Sequence, residues 1–186
     1  MTAAYSHQPE GYACPFCLVA AGQDGEADWT KQSDVVWHDD RVTAFINAAW
    51  WPANPGHVLV VPNEHYENIY DIPDGILGAV QVAGKRVALA MKTAYGCEGT
   101  SFRQHNEPAG YQEVWHYHLH VFPRYEDDDL YMRSRERRWV TPAERAPYAA
   151  KLRAVLEAVA TPVAPECVSG SMPSGCATRP ATGSVG

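Results

Sequence analysis

The chain has 186 residues, of which 46% are hydrophobic and 20% charged, an ordinary globular composition with length for one domain and an appendage. The formal net charge of −7 supplies no basic footprint for duplex nucleic acid and argues against DNA as a partner. A nucleotide stays compatible with it, because a few local donors hold a phosphate on an acidic protein.

Residues 1–13 are polar and contain Gly and Pro, the pattern of a flexible N-terminal arm. The start, Met1 to His7, has neither a basic nor an apolar signal segment. No apolar run approaches the roughly 20 residues that span a bilayer, so no membrane partner is expected. Cys14-Pro15-Phe16-Cys17 follows, then Leu18 to Gly22, which predicts a short helical turn. Five cysteines, only two of them close together, fit a reducing compartment and a cytoplasmic protein.

Val35–His38 and Arg41–Ile46 predict a strand pair around an Asp39-Asp40 turn. Two prolines and a glycine make 50–56 irregular. The apolar run from His57 to Pro62 has the length of a central strand buried on both faces. From Pro73 to Tyr95, Ile76, Val80, Ala83, Val87, Ala90, Met91 and Ala94 recur with helical spacing, and Gly96 stands where a left-handed C-cap belongs. Two further strands are predicted, at 99–106 and at the histidine-rich stretch from His116. The acid run 126–129 reads as a solvated loop. Arg133, Arg135, Arg137 and Arg138 read chiefly as surface charge neutralising it, with phosphate contact as the alternative. Thr141-Pro142-Ala143-Glu144 is a capping box opening a second helix with Tyr148, Leu152, Val155, Leu156 and Val159 on one face. Pro, Gly, Ser, Thr and Ala dominate 161–186, which reads as a disordered tail. This order predicts an α+β domain over 14–160 with a mostly antiparallel sheet, one long central helix and a C-terminal helix.

The chemistry concentrates in His116-Tyr117-His118-Leu119-His120-Val121-Phe122. In a strand, His116, His118 and His120 share one face as a row of imidazoles. Such a row against an apolar core requires partners for every ring nitrogen, which points to metal binding or catalysis. Cys14-x-x-Cys17 is half of a zinc site by spacing, with two buried free thiols or a redox pair as the alternatives. Its remaining ligands would be histidines, with His65 and the row as candidates. A His₃ catalytic zinc site built from the whole row is a further alternative.

His-Tyr-His-Leu-His-Val-Phe followed by Pro123-Arg124 resembles the signature of the histidine triad (HIT) family. Phe45-Ile46-Asn47, the stretch Pro55 to Pro62, Asn106 and Gly110-x-Gln112 resemble its other landmarks in the same order. Cys14-Pro15-Phe16-Cys17 and His65 resemble the zinc-containing bacterial branch. The resemblance covers residues 12–125 and implies a HIT-like fold, a homodimer, and a nucleotide hydrolase or nucleotidyl transferase. In it, His118 attacks the α-phosphorus of a purine nucleoside phosphoramidate or dinucleoside polyphosphate and forms a nucleotidyl-histidine intermediate. His120 holds a phosphoryl oxygen or protonates the leaving group, Asn47 grips the ribose, and Asn106, Gly110 and Gln112 supply phosphate donors. The resemblance also implies a structural zinc on Cys14, Cys17, His65 and His116. His105 has no motif role and reads as a strand-surface residue, and His38 and His57 read as structural.

Two features depart from the family pattern. Gly110-Tyr111-Gln112-Glu113-Val114 is one residue longer than the usual Gly-Gln-(Ser/Thr)-Val, and Glu113 replaces a small hydroxyl residue beside an anionic substrate. Two rival functions are a nucleotide-binding regulatory module with negligible turnover and a zinc-dependent His₃ hydrolase.

Overall fold

The computed structural model describes residues 5–26 and 29–160. Five strands form one antiparallel sheet in the order β1-β2-β4-β6-β5: Val35–His38 (β1), Val42–Ile46 (β2), Val58–Pro62 (β4), Leu119–Arg124 (β6) and Gly99–Gln104 (β5). Every residue of β2 and β4 is buried, as a continuous apolar run requires of strands covered on both faces. A two-residue strand, Ala49–Trp50 (β3), pairs with Arg138–Trp139 (β7). Regular pairing therefore reaches one residue into the stretch read as irregular. Only the prolines and Gly56 beyond it resist a ladder.

Side-chain alternation divides the sheet into two unlike faces. Val42, Ala44, Ile46, Val58, Val60, Leu119 and Val121 join one core with the long helix Asp74–Tyr95 (α2) and the C-terminal helix Pro142–Ala160 (α3). Phe45, Leu59 and Val61 face the other way and pack with Phe16 and Val19 of a short helix, Pro15–Ala20 (α1). α2 presents Val80, Ala83, Val87 and Met91 as the spacing predicts, and ends at Gly96 with φ +64°. Gly84 lets α2 lie close on the sheet, since a Cβ there would stand 2.9 Å from Leu119 Cδ2.

α3 opens with the expected capping box. The Glu144 backbone N–H donates to Thr141 Oγ1, and the Thr141 N–H donates to Glu144 Oε2. Leu152 and Leu156 are buried, but Val159, predicted on the same face, is 80% exposed in the last turn. Within the stretch read as a flexible arm, Ser6 Oγ and the His7 N–H donate to Glu67, and the Tyr12 hydroxyl accepts from the Trp115 N–H. The tail assigned to 161–186 lies outside the described residues. No helix among the described residues is long and apolar enough to cross a membrane.

The acid run is not uniformly solvated. Glu126, Asp127 and Asp129 are exposed, whereas Asp128 is buried. Its carboxylate accepts two hydrogen bonds from Arg124 at 2.7 Å, one from Asn54 Nδ2 at 2.8 Å, and the backbone N–H groups of Tyr125 and Leu130. Four of these five hydrogen bonds come from residues within four positions, and the turn they form, together with the distant Asn54, selects Asp128 from its acidic neighbours. Of the arginines that follow, Arg133, Arg137 and Arg138 form their ion pairs with Glu136, Glu113 and Glu144.

The Arg124 guanidinium, helped by the other donors, holds the Asp128 carboxyl below the usual carboxylate range. A depressed native value means that this stabilisation is complete above about pH 4 and fades as pH falls toward the native value. Asp128→Ala should lower unfolding free energy by about 3 kcal/mol at neutral pH in urea melts, and flatten the acid limb of stability against pH.

Candidate active site and metal centre

The face of the sheet away from α2 and α3 is only partly covered by α1, and the functional side chains emerge there. Leu119 and Val121 point into the helix-covered core, so His118, His120 and Phe122 take the opposite face. His120 stands in register between Leu59 of β4 and Arg103 of β5. His118, His120 and Asn47 all line one cavity of about 760 Å³.

The hydrogen bonds fix where the protons are. His118 Nδ1 lies 2.7 Å from the His116 carbonyl and can only donate to it. Its Nε2 is then the nitrogen with a free lone pair. Burial pulls the His118 pKa down to about 4, so the ring is neutral at pH 7. The same desolvation, with the neighbouring histidines, holds His120 well below its ordinary value. The two rings meet edge to face with centroids 5.1 Å apart, and Phe16 packs edge-on against His118 at 5.4 Å.

Asn47 follows β2 and is anchored by its neighbours. Its Nδ2 donates to the Ala49 carbonyl at 3.1 Å and to His57 Nε2 at 2.7 Å. Both amide hydrogens are thus used, and the carbonyl oxygen, which accepts from the Ala49 N–H at 3.4 Å, keeps a second lone pair for a ligand. His57, read as merely structural, is a support of the site. It is fully buried, its Nε2 lies 3.4 Å from His120 Nδ1, and burial lowers its pKa to about 3.

Asn106, Gly110 and Gln112 are not on the cavity wall. Asn106 Oδ1 accepts from the Ile69 N–H, and its Nδ2 donates to Gln104. Gln112 is buried, with Nε2 donating to the Glu67 and Val114 carbonyls and Oε1 accepting from the Glu107 N–H. The N–H groups of Gly110, Tyr111 and Gln112 close on the Glu107 and Pro108 carbonyls. These donors are consumed in holding a tight turn, which takes up its extra residue with Tyr111 in the left-handed region at φ +67°.

Other residues line the cavity in their stead. His105, expected on the strand surface, donates from Nδ1 to the Gly110 carbonyl at 2.6 Å and lies 5.9 Å from His120, ring to ring. Arg103, Arg135 and Arg137 also line it. Glu113 does so as well, with its carboxylate held by Arg137 through two hydrogen bonds of 2.6 and 2.7 Å. Strand parity was the available signal for Arg103 and His105: on a strand beside the histidine row, they alternate with Phe102 and Gln104.

His116 leaves the row. It precedes β6, and its Nδ1 lies 3.3 Å from Cys14 Sγ and 3.5 Å from Cys17 Sγ, while Cys17 Sγ is 3.3 Å from His65 Nδ1. The ligand atoms of Cys14, Cys17, His65 and His116 all fall within 4.8 Å of one another, a cluster able to hold a metal ion. The second nitrogen of each imidazole donates away from it, His116 Nε2 to the Pro62 carbonyl at 3.0 Å and His65 Nε2 to Gln8 Oε1 at 2.9 Å. Both Nδ1 lone pairs are thereby aimed inward, the outer-shell arrangement of ligating histidines. Burial raises the Cys17 thiol to about 12 and lowers His116 to about 3. With both its nitrogens engaged, His116 is not available to a His₃ site with His118 and His120, which removes the geometric basis for that alternative.

The HIT domain family profile matches residues 29–127. The chain belongs to the HIT family. An uncharacterized HIT-like protein of Saccharolobus solfataricus is 31% identical over 115 residues, covering 62% of this chain and 76% of that protein. The Protein hit of Bacillus subtilis is 31% identical over 116 residues, 62% of this chain and 74% of its own length. Among solved structures, a zinc-bound histidine triad family protein from Mycobacterium smegmatis is similar with a TM-score of 0.64 and 26% identity, covering 79% of this chain and 95% of that one. The HIT fold, mixed α+β with the antiparallel sheet described above, is thus established for the chain.

Proposed function

We propose that the chain is a nucleotide hydrolase or nucleotidyl transferase that cleaves at the α-phosphate of purine nucleoside phosphoramidates or dinucleoside polyphosphates. The observation that carries this reading is the neutral His118 ring, with Nδ1–H committed to the His116 carbonyl and Nε2 left as a nucleophile in the cavity. His118 Nε2 attacks the α-phosphorus, forming a P–N bond as the bond to the leaving group breaks. Water, or another acceptor, then displaces the histidine from the nucleotidyl intermediate. An anionic phosphate beside His120 draws a proton onto that ring, which then hydrogen-bonds a phosphoryl oxygen or protonates the leaving group. The Asn47 carbonyl oxygen accepts from a ribose hydroxyl. Asn106, Gly110 and Gln112 serve the reaction indirectly, through the shape of the turn that carries His105 and Glu113.

The four-ligand cluster fits zinc. Two thiols and two imidazoles make a Cys₂His₂ donor set, and the oriented histidines support a closed structural site. Held by Cys14, Cys17, His65 and His116, zinc would cross-link α1, the loop after β4 and the approach to β6, a structural contribution with no part in bond making. Homodimer formation is proposed as well, supported by the open edge of β5 with Phe102 40% exposed, and by Val82 and Leu89 exposed on α2.

Three measurements test these readings. His118→Ala should lower turnover of an adenosine phosphoramidate at least about a thousandfold, and intact mass should reveal a nucleotidyl adduct on the wild type alone. Full activity in that variant would sink the mechanism. Elemental analysis should return about one zinc per chain and close to none in Cys14→Ser/Cys17→Ser, which should also melt at lower temperature. Zinc retained at the wild-type level would refute the ligand set. Sedimentation should yield twice the chain mass, and a monomer at micromolar concentration would refute the dimer.

A further inference from the structure

Of the three arginines lining the cavity, Arg137 is paired with Glu113, while among the described residues Arg103 and Arg135 form no ion pair, and of these two Arg103 stands on the sheet beside the histidines. It lies on β5 directly across from His120, on the side of the histidine away from Asn47. Its Nη1 is buried with no hydrogen-bond partner. The guanidinium is held among rings, with the centroid of Tyr131 at 5.6 Å and those of Trp51 and Phe122 at 5.9 Å. Aromatic faces offset part of the cost of desolvating a cation but supply no acceptor for its N–H groups. The cavity walls carry three guanidiniums against one carboxylate, Glu113, and Arg137 already neutralises that carboxylate. On a chain with net charge −7 this is a local reversal of sign.

The sheet order fixes the direction in which a ligand runs. Asn47 follows β2, the histidines are on and just before β6, and Arg103 is on β5. Three strand spacings, on the order of 14 Å, separate β2 from β5. A nucleotide with its ribose at Asn47 and its α-phosphorus over His118 and His120 therefore sends its leaving group toward Arg103.

We infer that Arg103 is a specificity-determining residue that binds an anionic leaving group, so that the chain prefers substrates releasing a phosphate-bearing product over phosphoramidates releasing a neutral amine. The inference rests on the nucleotidyl-transfer reading above and selects among its substrates. In the first step the P–O bond to the departing phosphate breaks as the P–N bond to His118 forms. The negative charge that accumulates on the departing oxygen is balanced by the guanidinium, through charge-assisted hydrogen bonds from Nη1 and its neighbours.

The test uses the full chain with its metal and two adenosine substrates, diadenosine triphosphate, which releases ADP, and a phosphoramidate that releases a neutral amine. Arg103→Met should lower kcat/KM about 10- to 100-fold for diadenosine triphosphate and less than about threefold for the phosphoramidate. Arg103→Lys, which keeps the charge without the planar fork, should fall between wild type and Arg103→Met on the first substrate only. Equal losses on both substrates, or no loss on either, overturn the assignment. Titration with inorganic pyrophosphate separates this inference from the reaction beneath it. If the wild type turns over neither substrate, the nucleotidyl-transfer reading fails. Arg103 then stands only if Arg103→Met weakens pyrophosphate binding at least about tenfold, and unchanged binding overturns it.

Discussion

The site depends on one constraint, the unequal covering of a two-faced sheet. Helices α2 and α3 seal one face completely with aliphatic side chains, which fixes the parity of β4 and β6. A slip of β6 by one residue would drive imidazoles into that core and expose Leu119 and Val121. The other face is covered at one end by α1 and left open at the other. Imidazoles there are dry enough to stay neutral, yet remain within reach of a ligand. Neutrality and access are ordinarily in conflict, because a ring open to water titrates near pH 6.5. Burial against Phe16 and Phe122 on an otherwise open face reconciles them.

His116 joins the structural and chemical halves of the molecule. Its ring turns toward two thiols, and its backbone carbonyl accepts the proton that sets the tautomer of His118. The geometry of the cysteine cluster and the orientation of the His118 ring therefore share a single residue. A metal held there would restrain the backbone immediately before His118, adding to the hydrogen bond from the Tyr117 N–H to the Tyr66 carbonyl where β6 has not yet begun.

Much of this was legible in the chain. The spacing of Val80, Ala83, Val87 and Met91 called for α2, the Thr141–Glu144 box marked the start of α3, and the apolar run 58–62 announced a central strand. Cys14, Cys17, His65 and His116, suggested as a set by family resemblance, do converge. What could not be read was which donors had already been spent. Gln112 and Asn106 look like free amides in sequence, and only the fold reveals the carbonyls and N–H groups that occupy them. The converse holds for His57 and Arg103, which look unremarkable until β4, β5 and β6 are laid side by side. Asp128 is distinguished from three acidic neighbours by Arg124, four residues before it, and by Asn54, which no local pattern brings near.

The strand order has a consequence for synthesis. β6 inserts between β4 and β5, both of which precede it in the chain. At the usual translation speed of about 5–20 residues per second, the roughly 57 residues from Pro62 to Leu119 take on the order of 3–12 s to appear. Throughout that interval β4, entirely apolar and wholly buried in the finished fold, has β2 along one edge and nothing along the other. A nascent chain at this stage carries an open, sticky strand edge, the feature that holdase chaperones shield and that promotes co-aggregation on crowded ribosomes. The segment that closes that edge also carries His118 and His120, so the candidate site is not assembled while the edge is open.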